Sequence, residues 1–366
     1  MNEHFNKNSI FVLGAGATKA FAPLAPLAID DYGLPRLLEH FAGFPHARKL
    51  LENEQRLRTN GHINVEQFMT RLHGRMPYDN DDARVQQTHL LSELMKEFVR
   101  KVSLARVKDV LKGDLDGFAR VILENDVTCI TFNYDDILDQ ALWKESEKHL
   151  NGHIRGPLIR PTGMYWHPDG GYGFFVRPSE VAIHDAIHYM DKTSMLLLKL
   201  HGSINWYPRS GEKQPYSIDA IYHDEDWYET PRAFPKPDKE LINRHLEEEP
   251  FLVPPVLDKT ALGSEPVLKT VWSLAKMRLE IAPRIYFIGY SMPVTDLAGS
   301  FLFSETLGER VPHIRVVNLA ENESDTEQIK GAYRKVFPNI QDNQFEFDGA
   351  IEWVKRICRQ NPTQAM

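Results

Sequence analysis

Apolar runs recur along the chain, and each ends in glycine or polar residues. Ser9-Ile10-Phe11-Val12-Leu13 carries no charge and predicts a short strand buried on both faces. Val127-Thr128-Cys129-Ile130-Thr131, the run from Met195 to Leu200, Ile285-Tyr286-Phe287-Ile288 and Ile314-Arg315-Val316-Val317 repeat that pattern. Gln344 to Phe347 predicts a last short strand, and Phe251-Leu252-Val253 one stopped by Pro254 and Pro255. Between the strands the apolar period lengthens to that of a helix. Leu91, Leu94, Phe98, Val102 and Ala105 predict a helix between Asp81 and Lys112, broken at Gly113-Asp114. Further helices are expected through Phe118, Val121 and Ile122, through Ile137, Leu138, Ala141 and Leu142, over Val267 to Ile281, over 326–336, and at the C-terminus.

Strands alternating with helices predict an α/β fold: a mainly parallel sheet with helices on both faces. The organisation expected is one domain over 1–358. It carries a helical insertion or cap at about 36–125, irregular insertions at about 151–191 and 204–265, and a tail at 359–366.

Composition narrows the function classes. A formal charge of −8 gives no general electrostatic case for nucleic-acid binding. No run of about 18 apolar residues is present, so no membrane span is expected. The first residues lack the apolar core of a signal peptide, and a cytoplasmic location is expected. Two cysteines, Cys129 and Cys358, cannot build a four-cysteine zinc ribbon. His184 and His188 stand four apart around Asp185 with no third ligand in sight, and no metal is expected. His153, His167 and His223 read as loop histidines, and Tyr165, Trp166, Phe174 and Phe175 as a local hydrophobic cluster.

Candidate chemistry sits at the strand ends. Gly14-Ala15-Gly16-Ala17-Thr18 follows the first strand directly and opens a helix-compatible run. That order lets main-chain N–H groups and a positive helix end approach an anionic ligand. The dinucleotide fingerprint G-x-G-x-x-G is incomplete, since Lys19 holds its third glycine position. A proline-rich stretch, Ala22 to Pro35, follows and is placed to close over a ligand. Asp135 or Asp136 reads as the N-cap of the next helix. His201 is either a proton-transfer group or a strand-end histidine satisfied by the main chain; Ser291 and Asn318 are either ligand contacts or turn formers.

Taken in order, these motifs resemble the sirtuin superfamily, in particular its bacterial, phage-defence branch of sirtuin-like NAD hydrolases. Gly14-Ala15-Gly16-Ala17-Thr18 is similar to the family's G-A-G-x-S/T turn, and Thr131-Phe132-Asn133-Tyr134-Asp135 to T-Q-N-x-D. His201-Gly202 resembles the strand-end histidine–glycine pair, and Gly289-Tyr290-Ser291-Met292-Pro293 with Asp296 the G-Y-S-x-P…D motif. Asn318 matches a late strand-end asparagine, and Gly33-Leu34-Pro35 resembles the G-I-P of the cofactor loop. Phe132 stands where the family has glutamine, and the zinc ribbon that helps build the deacylase acyl-lysine channel is missing.

The resemblance implies a Rossmann-like domain that holds NAD as a substrate and releases nicotinamide and ADP-ribose. It implies cofactor contacts from Gly14, Ala15, Gly16, Thr18, Asp135, Gly289, Ser291 and Asn318, with Asn133 and His201 catalytic. Thr18 and the glycine turn would meet the phosphates, Asn133 the ribose or the attacking water, and Asp135 the nicotinamide carboxamide. His201 would act as general base, and Ser291 and Asn318 would contact the adenosine ribose. Glu321 is a candidate for choosing NAD over NADP. The branch further implies anti-phage defence by NAD depletion, a homo-oligomer, and a partner such as a HerA-type ATPase or a short Argonaute. The alternative is a non-catalytic module that binds NAD or ADP-ribose for a partner protein.

Overall fold

The computed structural model describes residues 4–57, 62–74, 76–150, 166, 171–174, 195–208, 218–220, 250–256, 265–293, 295–307 and 312–360. Six strands form one sheet: β1 (Ser9–Leu13), β4 (Thr128–Thr131), β5 (Leu197–Lys199), β8 (Arg284–Ile288), β9 (His313–Val317) and β10 (Phe345–Glu346). Their order across the sheet is β10-β9-β8-β1-β4-β5, and every pair is parallel. The chain runs outward from β1 through β4 to β5, then returns to the other side of β1 and runs outward through β8, β9 and β10. This is the doubly wound, Rossmann-like order, and it reverses direction between β1 and β8.

Burial explains the composition of the strands. All five residues of β1 and all four of β4 are buried, because helices cover both faces. Around β1 lie α1 (Ala15–Phe21), α6 (Asp109–Glu124), α7 (Ile137–Leu150), α8 (Pro266–Ile281), α9 (Leu297–Leu307), α10 (Glu323–Val336) and α11 (Ala350–Gln360). Phe11 stacks on Phe118 of α6 at 5.7 Å and meets Trp353 of α11 edge-on at 5.6 Å. Trp166 and Phe174 join this core, packing with Tyr172 and Trp206.

A second apolar cluster is built by α2 (Leu34–His40), α3 (Pro45–Leu57), α4 (Val65–His73) and α5 (Asp81–Ser103), with Leu37, Leu51, Phe68, Leu90, Leu94 and Phe98 in its interior. A two-residue ribbon, β2 (Ile29–Asp30) with β3 (Ile63–Asn64), and the ion pair of Lys101 with Asp30 fasten it to the loop after α1. This module is narrower than the expected 36–125 insertion, because the buried face of α6 packs on the sheet core. The break in the long helical stretch also differs from the expectation. It falls at Leu104–Lys108, where the Lys108 N–H donates to Phe21 O at 3.1 Å; Gly113 lies inside α6. That contact joins the N-cap of α6 to the last residue of α1, and α5 ends at a Leu104 C-cap rather than at a glycine. Phe251-Leu252-Val253 makes a single bridge, Leu252 to Gly202, instead of a strand.

A second, two-stranded ribbon joins β6 (Trp206–Pro208) and β7 (Ile218–Ala220). The residues with His153, Tyr165, His167, Phe175, His184, Asp185, His188 and His223, and most of the two irregular insertions, lie outside the described residues. Among the described residues, no helix is long and apolar enough to cross a membrane.

Candidate functional site

Register brings the strand-end motifs to one level. Leu13 pairs with Thr131 and with Ile288, Thr131 with Lys199, and Ile288 with Val317. The ladder runs one step past the strands: Gly14 N–H donates to Ile288 O, Phe132 N–H to Leu13 O, Leu200 N–H to Thr131 O, and Gly289 N–H to Val317 O. Gly14, Phe132, Leu200, Gly289 and Asn318 therefore leave the sheet in one row. Beyond that row opens a cavity of about 480 Å³, at the topological switch point where open parallel sheets bind ligands. Gly14, Ala15, Gly16, Thr18, Asn133, Asp135, His201, Gly289, Ser291 and Asn318 all line it. The structure thus brings together the ten residues expected to contact the ligand or act in catalysis; their roles are a separate matter.

Two glycine turns form the floor. Gly16 N–H donates to Gly289 O at 2.9 Å. A Cβ on Gly14 would lie 2.5 Å from Gly289 O, and one on Gly289 2.0 Å from Ala17 N. Gly289 is left-handed, with φ +60°. The N–H groups of Gly14 and Gly16 are thus spent on Ile288 and Gly289 carbonyls rather than aimed at a phosphate, and Ala17 N–H returns to Gly14 O. Lys19, at the missing third glycine position, donates through Nζ to Pro23 O and Ala25 O and shapes the loop whose residues Ala25 to Ile29 make one wall.

Asn133, Thr18 and Asp135 form a chain. Asn133 Nδ2 donates to Gly14 O at 2.9 Å and to Thr18 Oγ1 at 2.8 Å, and the Thr18 hydroxyl donates to Asp135 Oδ2 at 2.8 Å. Asp135 Oδ1 accepts the Ile137 N–H at 3.2 Å, so this carboxylate caps α7 while it holds Thr18. Burial raises the Asp135 pKa, against the pull of Lys199 and the Thr18 hydroxyl. Next to it, burial and then Asp139 push Asp136 up to about 6. Lys199 is fully buried beneath, donating to Asp135 O and pairing with Asp139 at 3.3 Å, and Tyr172 donates to Asp139 as well.

Across the cavity, His201 lies between aromatic rings, 5.3 Å from Phe132 and 5.7 Å from Tyr134. Its Nε2 stands 3.9 Å from Asp296 Oδ1, an electrostatic contact too long for a hydrogen bond. Asp296 is itself fixed: the Tyr290 hydroxyl donates to Oδ2 at 2.9 Å, and Gly299 N–H to Oδ1 at 3.3 Å. An imidazolium at His201 would therefore meet a buried, oriented carboxylate. Phe132, in the glutamine position, stacks on Tyr290 at 4.7 Å.

Asn318 Nδ2 donates to Tyr290 O at 2.9 Å, where the Tyr333 hydroxyl also donates. Its side-chain amide braces the β8 turn, while the residue still lines the cavity. Ser291 is exposed at the rim, and Glu321 is exposed and outside the lining.

Several lining residues escaped sequence reasoning. Glu66, at the start of α4, accepts a hydrogen bond from Thr295 across the cavity, and Tyr32, Phe98 and Tyr134 add aromatic wall. A first-turn glutamate reads as ordinary helix chemistry, and only the fold of the module carries Glu66 to the cavity. Asp296 was visible as part of a motif, without its pairing to His201.

Fold and site together define a doubly wound α/β protein with a ligand cavity at its switch point. No family profile matches the sequence, and no curated protein matches it. Solved structures do show similarity. A Sir2 homologue in complex with NAD is 14% identical over 98% of this chain and 96% of its own, with a TM-score of 0.43. A mutant Sir2 homologue in complex with 2'-O-acetyl ADP ribose is 14% identical over 98% and 95%, with a TM-score of 0.42. Sir2Tm bound to a propionylated peptide is 13% identical over 96% and 92%, at 0.37. Likeness at that level carries neither family nor activity.

Proposed function

We propose that the protein hydrolyses NAD to nicotinamide and ADP-ribose. The observation that carries this reading is that Asn133 and His201, on adjacent strand ends, line the same switch-point cavity as the two glycine turns. In the reaction the C–N bond between ribose and nicotinamide breaks, and its electron pair leaves with nicotinamide, which departs neutral. The resulting oxocarbenium carbon takes the oxygen of water, and the water's proton passes to a base. His201 suits that base, because Asp296 at 3.9 Å favours the protonated ring. Asn133 has both amide hydrogens engaged, which leaves Oδ1 to accept from a ribose hydroxyl or the attacking water. Because the Gly14 and Gly16 N–H groups are spent, the pyrophosphate would rely on the other groups around the turn.

The test is incubation with NAD and chromatography of the products. Nicotinamide and ADP-ribose are expected in equal amounts, and His201→Ala should slow their release by about a hundredfold or more, with NAD binding retained. Absence of nicotinamide under all conditions, with binding intact, would instead establish the second reading, a module that binds NAD or ADP-ribose for a partner. Phe132 favours that alternative, since a phenyl ring against His201 removes the polar contact that a glutamine would supply.

The motif resemblance supports a place in bacterial anti-phage defence by NAD depletion, as a homo-oligomer or beside a HerA-type ATPase or short Argonaute. Weak turnover by the resting protein fits that setting. Cellular NAD after phage infection, compared between wild type and His201→Ala, tests it: equal pools in the two strains would end the proposal.

A further inference from the structure

The helical module carries a cluster that NAD chemistry does not use. His40 lies in the last turn of α2, and His89 and Glu93 lie four residues apart on α5. One ligand atom from each comes within 4.8 Å of the others. Neither imidazole has a hydrogen-bond partner among the described residues. Phe41 and Phe44 pack edge-on against the His89 ring at 4.9 and 5.3 Å and restrict where it points. Phe41 touches His40 in the same way at 4.9 Å. Glu93 Oε1 accepts from Lys96 at 2.7 Å, which leaves Oε2 outside that bond.

We infer that His40, His89 and Glu93 form a binding site for a divalent transition metal, zinc in the first instance. Two neutral imidazoles and one carboxylate are a recognised zinc donor set, with water completing the tetrahedron. Bonds of about 2.0 to 2.1 Å put neighbouring ligands about 3.3 Å apart. Rotation of the exposed His40 side chain toward the α5 pair supplies the remaining approach. Soft thiolate is absent and imidazole predominates, so Zn²⁺, Ni²⁺ and Cu²⁺ fit better than Mg²⁺ or Ca²⁺.

The ion would clamp α2 to α5. One turn along the same seam Arg36 already bridges these helices through Glu97 at 2.8 Å. Arg36 and His40 are four apart on α2, as are His89, Glu93 and Glu97 on α5, so metal and ion pair lie in line. The clamp bears on the NAD cavity at a distance, since Phe98 and Val102 farther along α5 line it. Lys96 is the competitor for Glu93.

The test uses the full chain, treated with chelator and titrated with Zn²⁺ by calorimetry and with Co²⁺ by visible absorption. One saturable equivalent is expected, with Co²⁺ giving the intense d–d bands of a tetrahedral site and Zn²⁺ raising the melting temperature. His40→Ala, an exposed change, and Glu93→Gln should each weaken binding by roughly tenfold or more and abolish the thermal shift. Lys96→Gln should tighten it. No saturable Zn²⁺ binding by the wild type would overturn the inference. So would His40→Ala and Glu93→Gln proteins that bind as the wild type does, because the ion would then sit elsewhere. All three residues lie outside the cavity lining, and metal binding is read without recourse to nicotinamide release.

Discussion

Single residues here are constrained by what they touch far away in sequence. Gly289 is the clearest case, since any side chain would enter the backbone of Ala17. Gly289→Ala is expected to cost roughly 3 kcal/mol or more in chemical denaturation. Gly113, inside α6 with open space around it, is the contrast. Gly113→Ala should stabilise the protein by roughly 0.5 to 1 kcal/mol, since alanine loses less backbone freedom in a helix. Asp136 adds a pH signature. Its pKa rises in the folded state to about 6, so the folded protein holds the proton more tightly than the unfolded chain. Stability is therefore greatest below the ordinary carboxylate range and falls as pH rises through 6. Asp136→Asn removes that loss. It should raise stability at pH 8 by about 1 to 2 kcal/mol, less than the full shift implies because the side chain still meets water, and change little at pH 4. Equal effects at the two pH values would show that Asp136 is not the group responsible.

At the scale of elements, the sheet and the helical module have separate apolar interiors that meet at the cavity. Leu94 is fully buried in the second of them. Leu94→Ala should cost about 2 to 5 kcal/mol, depending on how far the site collapses. The loss should appear first as faster amide hydrogen exchange in α2 to α5, with β1 and β8 still protected. Uniform acceleration across both regions would mean that the two interiors unfold as one unit. Glu66 and Thr295 span the two regions with a hydrogen bond beside the cavity. Loosening the module therefore alters the wall around a ligand without touching the strand ends.

For the molecule as a whole, the sheet was legible because strands covered on both faces must be apolar throughout, and runs such as Ser9–Leu13 leave no other reading. The site's floor was legible for a related reason. Its residues follow the strands directly, and parallel register levels them. What lay hidden depends on contacts between distant segments. No glycine or proline marks the end of α5, and the start of α6 is tied to α1 by Lys108 meeting Phe21. A helical period looks the same whether its apolar face meets the sheet, as α6 does, or a second core, as α5 does. His40 pairs with His89 across two helices, and neither residue carries a local motif.

The fused glycine turns have one further consequence. With Gly14 and Gly16 sealed backbone to backbone against Gly289, the two halves of the sheet are riveted at the point where the winding reverses. That rivet has no slack for a hinge. Any adaptation of the chamber to the size of its guest must come from the roof, built by the loop after α1 and the helices beyond it, while the floor keeps its shape as a fixed gauge.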